Sequence, residues 1–553
     1  MSSYDLILHG GTVVDGSGAA PLRTDLAVSA DRIAAIGDLS GAQAREHIDC
    51  KGLAVSPGFI DIHTHYDPQI LWDPELTPTS WFGVTTIFLG NCGFTIAPMR
   101  PEGRDACIAT LGNVEAMSVE ALRAGISWEF ESFKEYLEAI GRRKVGLNVA
   151  SLVGHTALRM YAMPDDPNRT PTDSEILVMQ QEIDAAMAAG AWGFSTSKSP
   201  AHVGVGGRPV PSRMSSIEEI GALADVLAGA GAGIMQGVGG PGLGIPEFAD
   251  LARRSKRPVT WCSLHQGVDR GRHWEYSRQT AKLRSEGADI WAQMACSPII
   301  GQFTLVSPYV LNSVPCVGRI ANLPQAERLK YLTDPAWQAE AERQFEANAE
   351  QRTYDIRFDR ILVADSAKYP ELVGKVIADI TPPGKSPLGF MVELARSEDM
   401  KTRFKLIMFN YDDNDVAKLL QQDSTILGLG DGGAHTSQLC DSSYPMHLLG
   451  HFVRERKSFP LEFGVWRLTG HPAKVYGIKE RGLLKTGYFA DVCVFNPDTI
   501  DESPLRRVFD QPAGAERLIK EPIGVEHVLV NGSFIRRAGE SQAGVASGRL
   551  LRP

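Results

Sequence analysis

GFIDIHTHYD, residues 58–67, is an aliphatic stretch that ends in two histidines separated by one residue. Side chains two positions apart on a β-strand point to the same face, so the imidazoles of His63 and His65 can reach one cation, whereas on a helix they would diverge. A chain with 13 histidines can contain such a pair by chance. Its place at the end of an apolar strand, directly before turn residues, favours a metal site.

Seven further apolar runs follow this stretch and alternate with helical segments. The eight candidate strands end at FIDIHTH, TTIFLGNCG, NVASLVGH, WGFSTS, GAGIMQ, VTWCSLHQ, DIWAQMAC and TILGLGDGG. Alternating strands and helices are typical of parallel βα units, and eight in succession favour a closed barrel with its reactive side chains at the C-terminal strand ends. We therefore predict an α/β fold with a TIM-like (β/α)8 barrel over residues 57–480.

Short alternating strands with Gly or Asn-Gly turns occupy both ends of the chain, over residues 1–56 and 481–553. We predict that the two ends together form one small β-sandwich. Between the seventh and eighth strands, residues 321–385 are rich in Glu, Gln, Ala and Arg, which suits solvated helices. On a barrel this insertion would overhang the active-site mouth, so it is either a lid or a surface decoration.

The composition is that of an ordinary globular enzyme, with 43% hydrophobic and 22% charged residues among 553. A net charge of -10 argues against a nucleic-acid partner. The sequence shows neither signal-peptide regions nor a run as long as a membrane span, so we expect a soluble, cytoplasmic protein with no membrane partner. The eight cysteines are scattered singly, which is typical of small core residues rather than of a disulfide scaffold.

Asp431 follows the last predicted strand in GDGGAHTSQLCD, residues 430–441. A carboxylate at a strand end can bind a metal and accept a proton from its water, although an Asp before two glycines can also be a simple turn former. The first and last strands of a closed barrel are neighbours, so Asp431 is expected beside His63 and His65. That placement favours the catalytic interpretation.

Three more residues stand at or just after predicted strand ends. Cys92, in FLGNCGFT, could supply a thiolate to zinc, but taken alone it is better explained by core burial. His155 in LVGHTALR and His265 in TWCSLHQG end the third and sixth strands. Each is more often a hydrogen-bonded structural histidine than a ligand, although both positions suit either role.

In order and spacing, HTHYD, GNCG, GHTALR, GFSTS and GDGG resemble the N-acyl-D-amino-acid deacylases of the amidohydrolase superfamily. RGLLKTGYFADVCVFNP, residues 481–497, is similar to the closing β segment of that superfamily, so the resemblance covers nearly the whole chain. It implies a metal-dependent hydrolase of C–N bonds with one or two divalent ions, zinc by preference, and a small-molecule amide substrate. We also expect a homo-oligomer.

Carried over position by position, the resemblance implies ligand or proton-transfer roles for His63, His65, Cys92 as a bridge, His265 and Asp431. Two positions depart from the family. Gln236 ends the fifth strand where a histidine ligand is expected, and glutamine is a poorer zinc ligand, which puts a second metal in question. The family's paired histidines followed by a lysine read here as Leu264, His265, Gln266 and Gly267, so the lysine that recognises the substrate carboxylate is missing.

Lys198 and Gln236 are our predicted substrate-binding residues, and His155 is a predicted hydrogen-bond donor to the oxyanion. Lys198 could instead be a carbamylated metal bridge of the hydantoinase kind, but Cys92 already offers a bridging ligand. Three functions stay open: an amidohydrolase acting on N-acylated amino acids or related amides, a hydantoinase-like hydrolase of cyclic amides, and a catalytically silent scaffold. The change at Gln236 is the only argument for the last.

Overall fold

The computed structural model describes residues 3–306, 308–312, 314–320, 323–347 and 354–553. The chain forms two compact units. The first comprises Met1–Ser263, Ser277–Cys296 and Leu420–Pro553, and the second Leu264–Tyr276 and Ser297–Leu419. The insertion predicted at 321–385 falls within the second unit, except that residues 321–322 and 348–353 lie outside the described residues.

The first unit contains the eight predicted strands, and all of them run parallel. In chain order they are Phe59–Asp61, Val84–Leu89, Asn148–Ser151 with its continuation Val153–Gly154, Gly193–Ser197, Ile234–Val238, Val259–Cys262, Ile290–Met294 and Thr425–Leu427. Each strand pairs with the next. Val84–Leu89 is buried along its whole length, as parallel strands covered on both faces require.

Backbone contacts beyond the strand ends join the eighth strand to the first. Thr64 and Gly432 form a parallel bridge. The backbone N–H of Asp431 donates to the His63 carbonyl at 3.1 Å, and that of His65 donates to the Gly432 carbonyl at 2.7 Å. The strands therefore close into a barrel, and the predicted TIM-like fold is confirmed.

The α-helices of the first unit lie mostly between barrel strands. They are Arg104–Val114, Val119–Gly125, Phe133–Arg142, His155–Ala162, Asp173–Ala189, Ile217–Ala230, Ile245–Ser255, Tyr444–His447, Leu461–Leu468 and Gly470–Tyr476, with a π-helix at Leu448–Glu455. The helix His273–Ser285 begins in the second unit and continues into the first. Among the described residues, no helix combines the length and apolar character needed to cross a bilayer.

The two chain ends form one β unit, as predicted, and its strands are hydrogen-bonded into a nine-stranded sheet. The strands are Ser3–Val13, Leu22–Ser29, Arg32–Gly37, Gln43–Asp49, Ala54–Pro57, Val492–Phe495, Val525–Val530, Ser533–Arg537 and Glu540–Ser541. Val492–Phe495 joins the two ends because it pairs antiparallel with Ala54–Pro57 on one side and with Val525–Val530 on the other. Two short ribbons add Asp501–Glu502 with Pro522–Ile523 and Arg506–Val508 with Arg517–Ile519.

The second unit is larger than the insertion read from the sequence and contains strands as well as helices. Its antiparallel sheet consists of Ile299–Phe303, Ile361–Asp365 and Arg403–Phe409. Its helices are Pro315–Ile320, Gln325–Leu332, Pro335–Glu346, Ile377–Ile380, Pro387–Ser397 and Asp413–Leu420, the last of which ends in the first unit. Phe303, Val363 and Leu406 belong to a core of its own. A lid function for this unit stays a prediction.

A buried polar network ties the bottom of the barrel to the β unit. Arg481 donates to Asp491 and, at 2.8 Å, to the side-chain oxygen of Asn531. Asn148, on the third barrel strand, donates to Asp491 at 3.0 Å and accepts from Asn531 at 2.9 Å. Since every member is paired, this network holds one strand of the barrel against the β unit.

Replacing Arg481 by methionine should destabilise the protein by about 3–5 kcal/mol, because Asp491 then keeps a buried charge without its partner. The ion pair is 2% and 4% exposed at Arg481 and Asp491. The measurement is the free energy of unfolding in urea. The matched control is Arg506→Met, which removes an exposed pair with Glu521 and should cost less than about 1 kcal/mol. Equal losses in both variants would contradict the buried-network account.

Candidate metal centre

Three potential metal ligands converge at the C-terminal ends of the first two barrel strands. The ligand atoms of His63, His65 and Cys92 all lie within 4.8 Å of one another. The Cys92 sulfur is 3.2 Å from His63 Nε2. Cys92 lies in a tight turn that begins at Gly90 with φ 75°, where a Cβ would meet the Leu152 carbonyl oxygen at 1.9 Å. Glycine at this position therefore lets the chain turn and bring the thiol to the first strand.

Asp431 brings a carboxylate to the same point from the eighth strand. Its Oδ1 atom is 3.4 Å from His63 Nε2 and 3.9 Å from His65 Nε2. This oxygen is buried and has no hydrogen-bond partner among the described residues, which is costly for a carboxylate unless a cation compensates. Ligand atoms at about 2.0–2.3 Å from a tetrahedral ion stand about 3.3–3.8 Å apart. The donor set of two nitrogens, one sulfur and one oxygen therefore fits a zinc-like divalent ion.

The surroundings of the two histidines prepare both rings for this role. His63 Nδ1 lies 2.7 Å from Gln293 Oε1, and the Gln293 amide nitrogen donates to Thr260 and Tyr476. This orientation leaves Gln293 Oε1 to accept from Nδ1–H and directs the lone pair of His63 Nε2 toward the cluster. Burial lowers the pKa of His65 well below its usual value, which favours the neutral ring that a metal ion requires.

Sequence reasoning missed a buried carboxylate and a third histidine beside this cluster. Glu115 Oε2 lies 3.5 Å from His435 Nε2 and 3.8 Å from His65 Nε2. Burial, assisted by the Asp431 charge, raises the pKa of Glu115 to about 8. His435 belongs to the same GDGGAH motif as Asp431, so the motif itself could have indicated it. Glu115 follows a helix rather than a barrel strand and carries no such signal.

Comparison with known proteins agrees with this geometry. Residues 46–536 match the sequence profile described as "Amidohydrolase family". The chain belongs to the amidohydrolase family. This amidohydrolase is 31% identical to the D-aminoacylase of Alcaligenes xylosoxydans xylosoxydans, over 99% of this chain and 97% of the relative. The prediction of a metal-dependent hydrolase of C–N bonds other than peptide bonds is thereby confirmed.

Solved structures give the same result at the level of the fold. A D-aminoacylase described by its binuclear metal centre superimposes with a TM-score of 0.69 at 29% identity. The N-acyl-D-glutamate deacylase of Bordetella bronchiseptica, complexed with zinc and a phosphonate inhibitor, gives 0.68 at 27%. Both comparisons cover 100% of each chain. An L-hydantoinase of Arthrobacter aurescens, at 15% identity and a TM-score of 0.54 over 100% of both chains, shares the fold alone.

In this amidohydrolase His155 lies in a buried hydrogen-bond network. Its Nδ1 is 2.8 Å from the Thr196 hydroxyl, and its Nε2 is 2.9 Å from Glu219 Oε1. Glu219 also forms an ion pair with Arg159 at 2.5 Å. Burial raises the pKa of Glu219, but His155 and Arg159 outweigh it and lower the pKa to about 2. Both ring nitrogens of His155 are thus engaged, which favours a structural role over oxyanion binding.

The other predicted site residues have different hydrogen-bond and packing partners. Lys198 donates to the backbone carbonyls of Arg213 and Ser215 at 2.7 and 2.5 Å, which ties it to its own loop. Gln236 lies at the cluster, where its Oε1 accepts from the Cys92 backbone N–H at 2.7 Å. His265 belongs to the second unit, where its ring stacks on Phe409 with the centroids 5.4 Å apart. Its role as a ligand stays a prediction.

Replacing His155 by asparagine tests its role. A structural histidine predicts a lower melting temperature, because the buried Glu219 loses a hydrogen bond worth about 1–3 kcal/mol, with kcat reduced by less than about tenfold. A direct oxyanion donor would instead cost about 10²–10³ in kcat. Thermal unfolding and steady-state kinetics on the same preparation separate the two. A hundredfold loss of kcat at an unchanged melting temperature would contradict the structural role.

Proposed function

We propose that this amidohydrolase removes the acyl group from N-acyl-D-amino acids, with a divalent cation, zinc by preference, held by His63, His65, Cys92 and Asp431. The observation that carries the proposal is the buried Asp431 Oδ1, which faces both imidazoles without a hydrogen bond. The names of the relatives, D-aminoacylase and N-acyl-D-glutamate deacylase, support the substrate class. The histidine nitrogens and the cysteine sulfur favour zinc among the divalent cations.

The metal, when bound, supplies a water of lowered pKa and polarises the scissile carbonyl. Asp431 then acts as the general base: its side chain is 26% exposed, so a water on the cluster can reach it. The same carboxyl passes the proton to the leaving nitrogen, because an amine expelled without a proton is too basic to depart. Binding of the cation would require both His63 and His65 to be deprotonated at Nε2, and the two imidazoles would then position the reacting groups.

Changing Asp431 to asparagine should lower kcat/KM by about 10²–10⁴, because the amide cannot take up the proton. The fold should survive, since the backbone bonds that close the barrel do not involve the side chain. Deacylation of an N-acetyl-D-amino acid, monitored by released amine, is the measurement. Asp498→Asn, an exposed turn residue, is the control and should retain activity. A fully active Asp431→Asn enzyme would rule out the proton-transfer role.

A small panel of substrates tests the proposed substrate class. We expect N-acyl-D-amino acids to be hydrolysed with a kcat/KM at least about a hundredfold above their L-enantiomers and above hydantoins or dihydropyrimidines. Ring opening without deacylation would instead favour the hydantoinase-like alternative. Turnover of none of these by zinc-loaded protein would favour the silent scaffold, against which the joint presence of His63, His65 and Asp431 argues.

The family lysine is missing from residues 264–267, and Gln266 in this segment offers no positive charge to a substrate carboxylate. Its amide is already engaged: Oε1 accepts from the backbone N–H groups of Tyr411 and Asp412 at 3.0 and 3.2 Å. Acyl-amino-acid amides without a free carboxylate therefore belong in the same panel. A cytoplasmic location and a homo-oligomeric state stay predictions from the sequence.

A further inference from the structure

A second thiol lies beside His63, and neither the motifs nor the proposed mechanism uses it. Cys262 is the last residue of the sixth barrel strand. Its sulfur is 3.5 Å from His63 Nδ1, while the Cys92 sulfur is 3.2 Å from His63 Nε2. The two thiols also form a hydrogen bond with each other.

Polar side chains surround the Cys262 sulfur. Gln236 Nε2 donates to it at 3.1 Å, while Gln236 Oε1 holds the backbone N–H of Cys92. The Cys262 thiol donates a hydrogen bond to Gln293 Oε1 at 2.7 Å. The Gln236 side chain thus spans both cysteines at the position where sequence reasoning expected a histidine ligand.

Other buried cysteines of the chain have different surroundings. The Cys107 sulfur makes one long contact, 3.7 Å to the backbone carbonyl of Thr95. Cys493 is buried in the β unit, where burial raises its thiol pKa. These are the environments of small core residues. Cys262 differs because two glutamines, a histidine and a second cysteine contact its sulfur.

We propose that Cys262 is a sulfur ligand of the metal centre, and that Cys92 and Cys262 together form a thiolate subsite for a second, soft divalent cation. This inference rests on the proposed function, in which Cys92 already binds the first cation. Two thiolates select zinc or cadmium over magnesium or calcium, and they replace the nitrogen ligand lost at Gln236. The Cys262 thiol releases its proton to solvent as the sulfur–metal bond forms, and the remaining coordination positions are left to water or substrate.

The test compares Cys262→Ser with Cys107→Ser, a buried cysteine outside the cluster. Each full-length protein is stripped of metal and saturated with Co²⁺, and bound cobalt and the sulfur-to-cobalt charge-transfer band are measured per chain. We expect wild type to bind two cobalt ions and Cys262→Ser to bind one. In wild type, Cys92 bridges both cobalt ions and Cys262 binds one of them, which makes three cobalt–sulfur bonds. The variant keeps one cobalt ion and one such bond, so the band should fall about threefold. Cys107→Ser should match wild type.

Retention of both the cobalt stoichiometry and the full band in Cys262→Ser would overturn the inference. If Asp431→Asn is inactive in the same series, the proposed function stands while the thiolate subsite falls. X-ray absorption of zinc-loaded wild type provides a test that does not depend on folding of the variant. Three zinc–sulfur contacts for every two zinc ions support the subsite, and one sulfur per zinc ion overturns it.

Discussion

The backbone hydrogen bonds between the first and eighth barrel strands set the register on which the whole site depends. Asp431 donates to the His63 carbonyl and His65 donates to the Gly432 carbonyl. A shift of one residue would turn the alternate side chains to the other face of the sheet. In the observed register the imidazoles and the carboxylate meet within 3.4 to 3.9 Å. Closure of the barrel and assembly of the metal centre are therefore the same structural event.

The support for this centre lies inside the barrel, on strands far apart in sequence. Gln293 from the seventh strand orients His63, and Gln236 from the fifth fixes the turn that carries Cys92. A glutamine amide is a weak metal ligand, but these two amides position His63 and Cys92, whose side chains are strong metal ligands. This explains how a chain that departs from the family at Gln236 keeps His63, His65 and Cys92 clustered.

The sequence alone predicted those strands and site residues that depend on local sequence patterns. Fully apolar runs such as Val84–Leu89 identify parallel strands, and the rule that reactive residues stand at strand ends located His63 and Asp431. Contacts that join distant segments carry no local signal. The pairing of Ile300 with Ile407 in the second unit and the bond between His155 and Glu219 are of this kind. For the same reason Glu115 and Cys262 were missed, because only the folded chain brings them to the cluster.

The central claim is that His63, His65 and Asp431 share one cation. Anomalous diffraction at the zinc edge, on crystals of zinc-loaded protein, tests it most directly. The account predicts a peak about 2.0–2.3 Å from His63 Nε2, His65 Nε2, Asp431 Oδ1 and the Cys92 sulfur. Zinc-loaded crystals that show no peak among these atoms would contradict it.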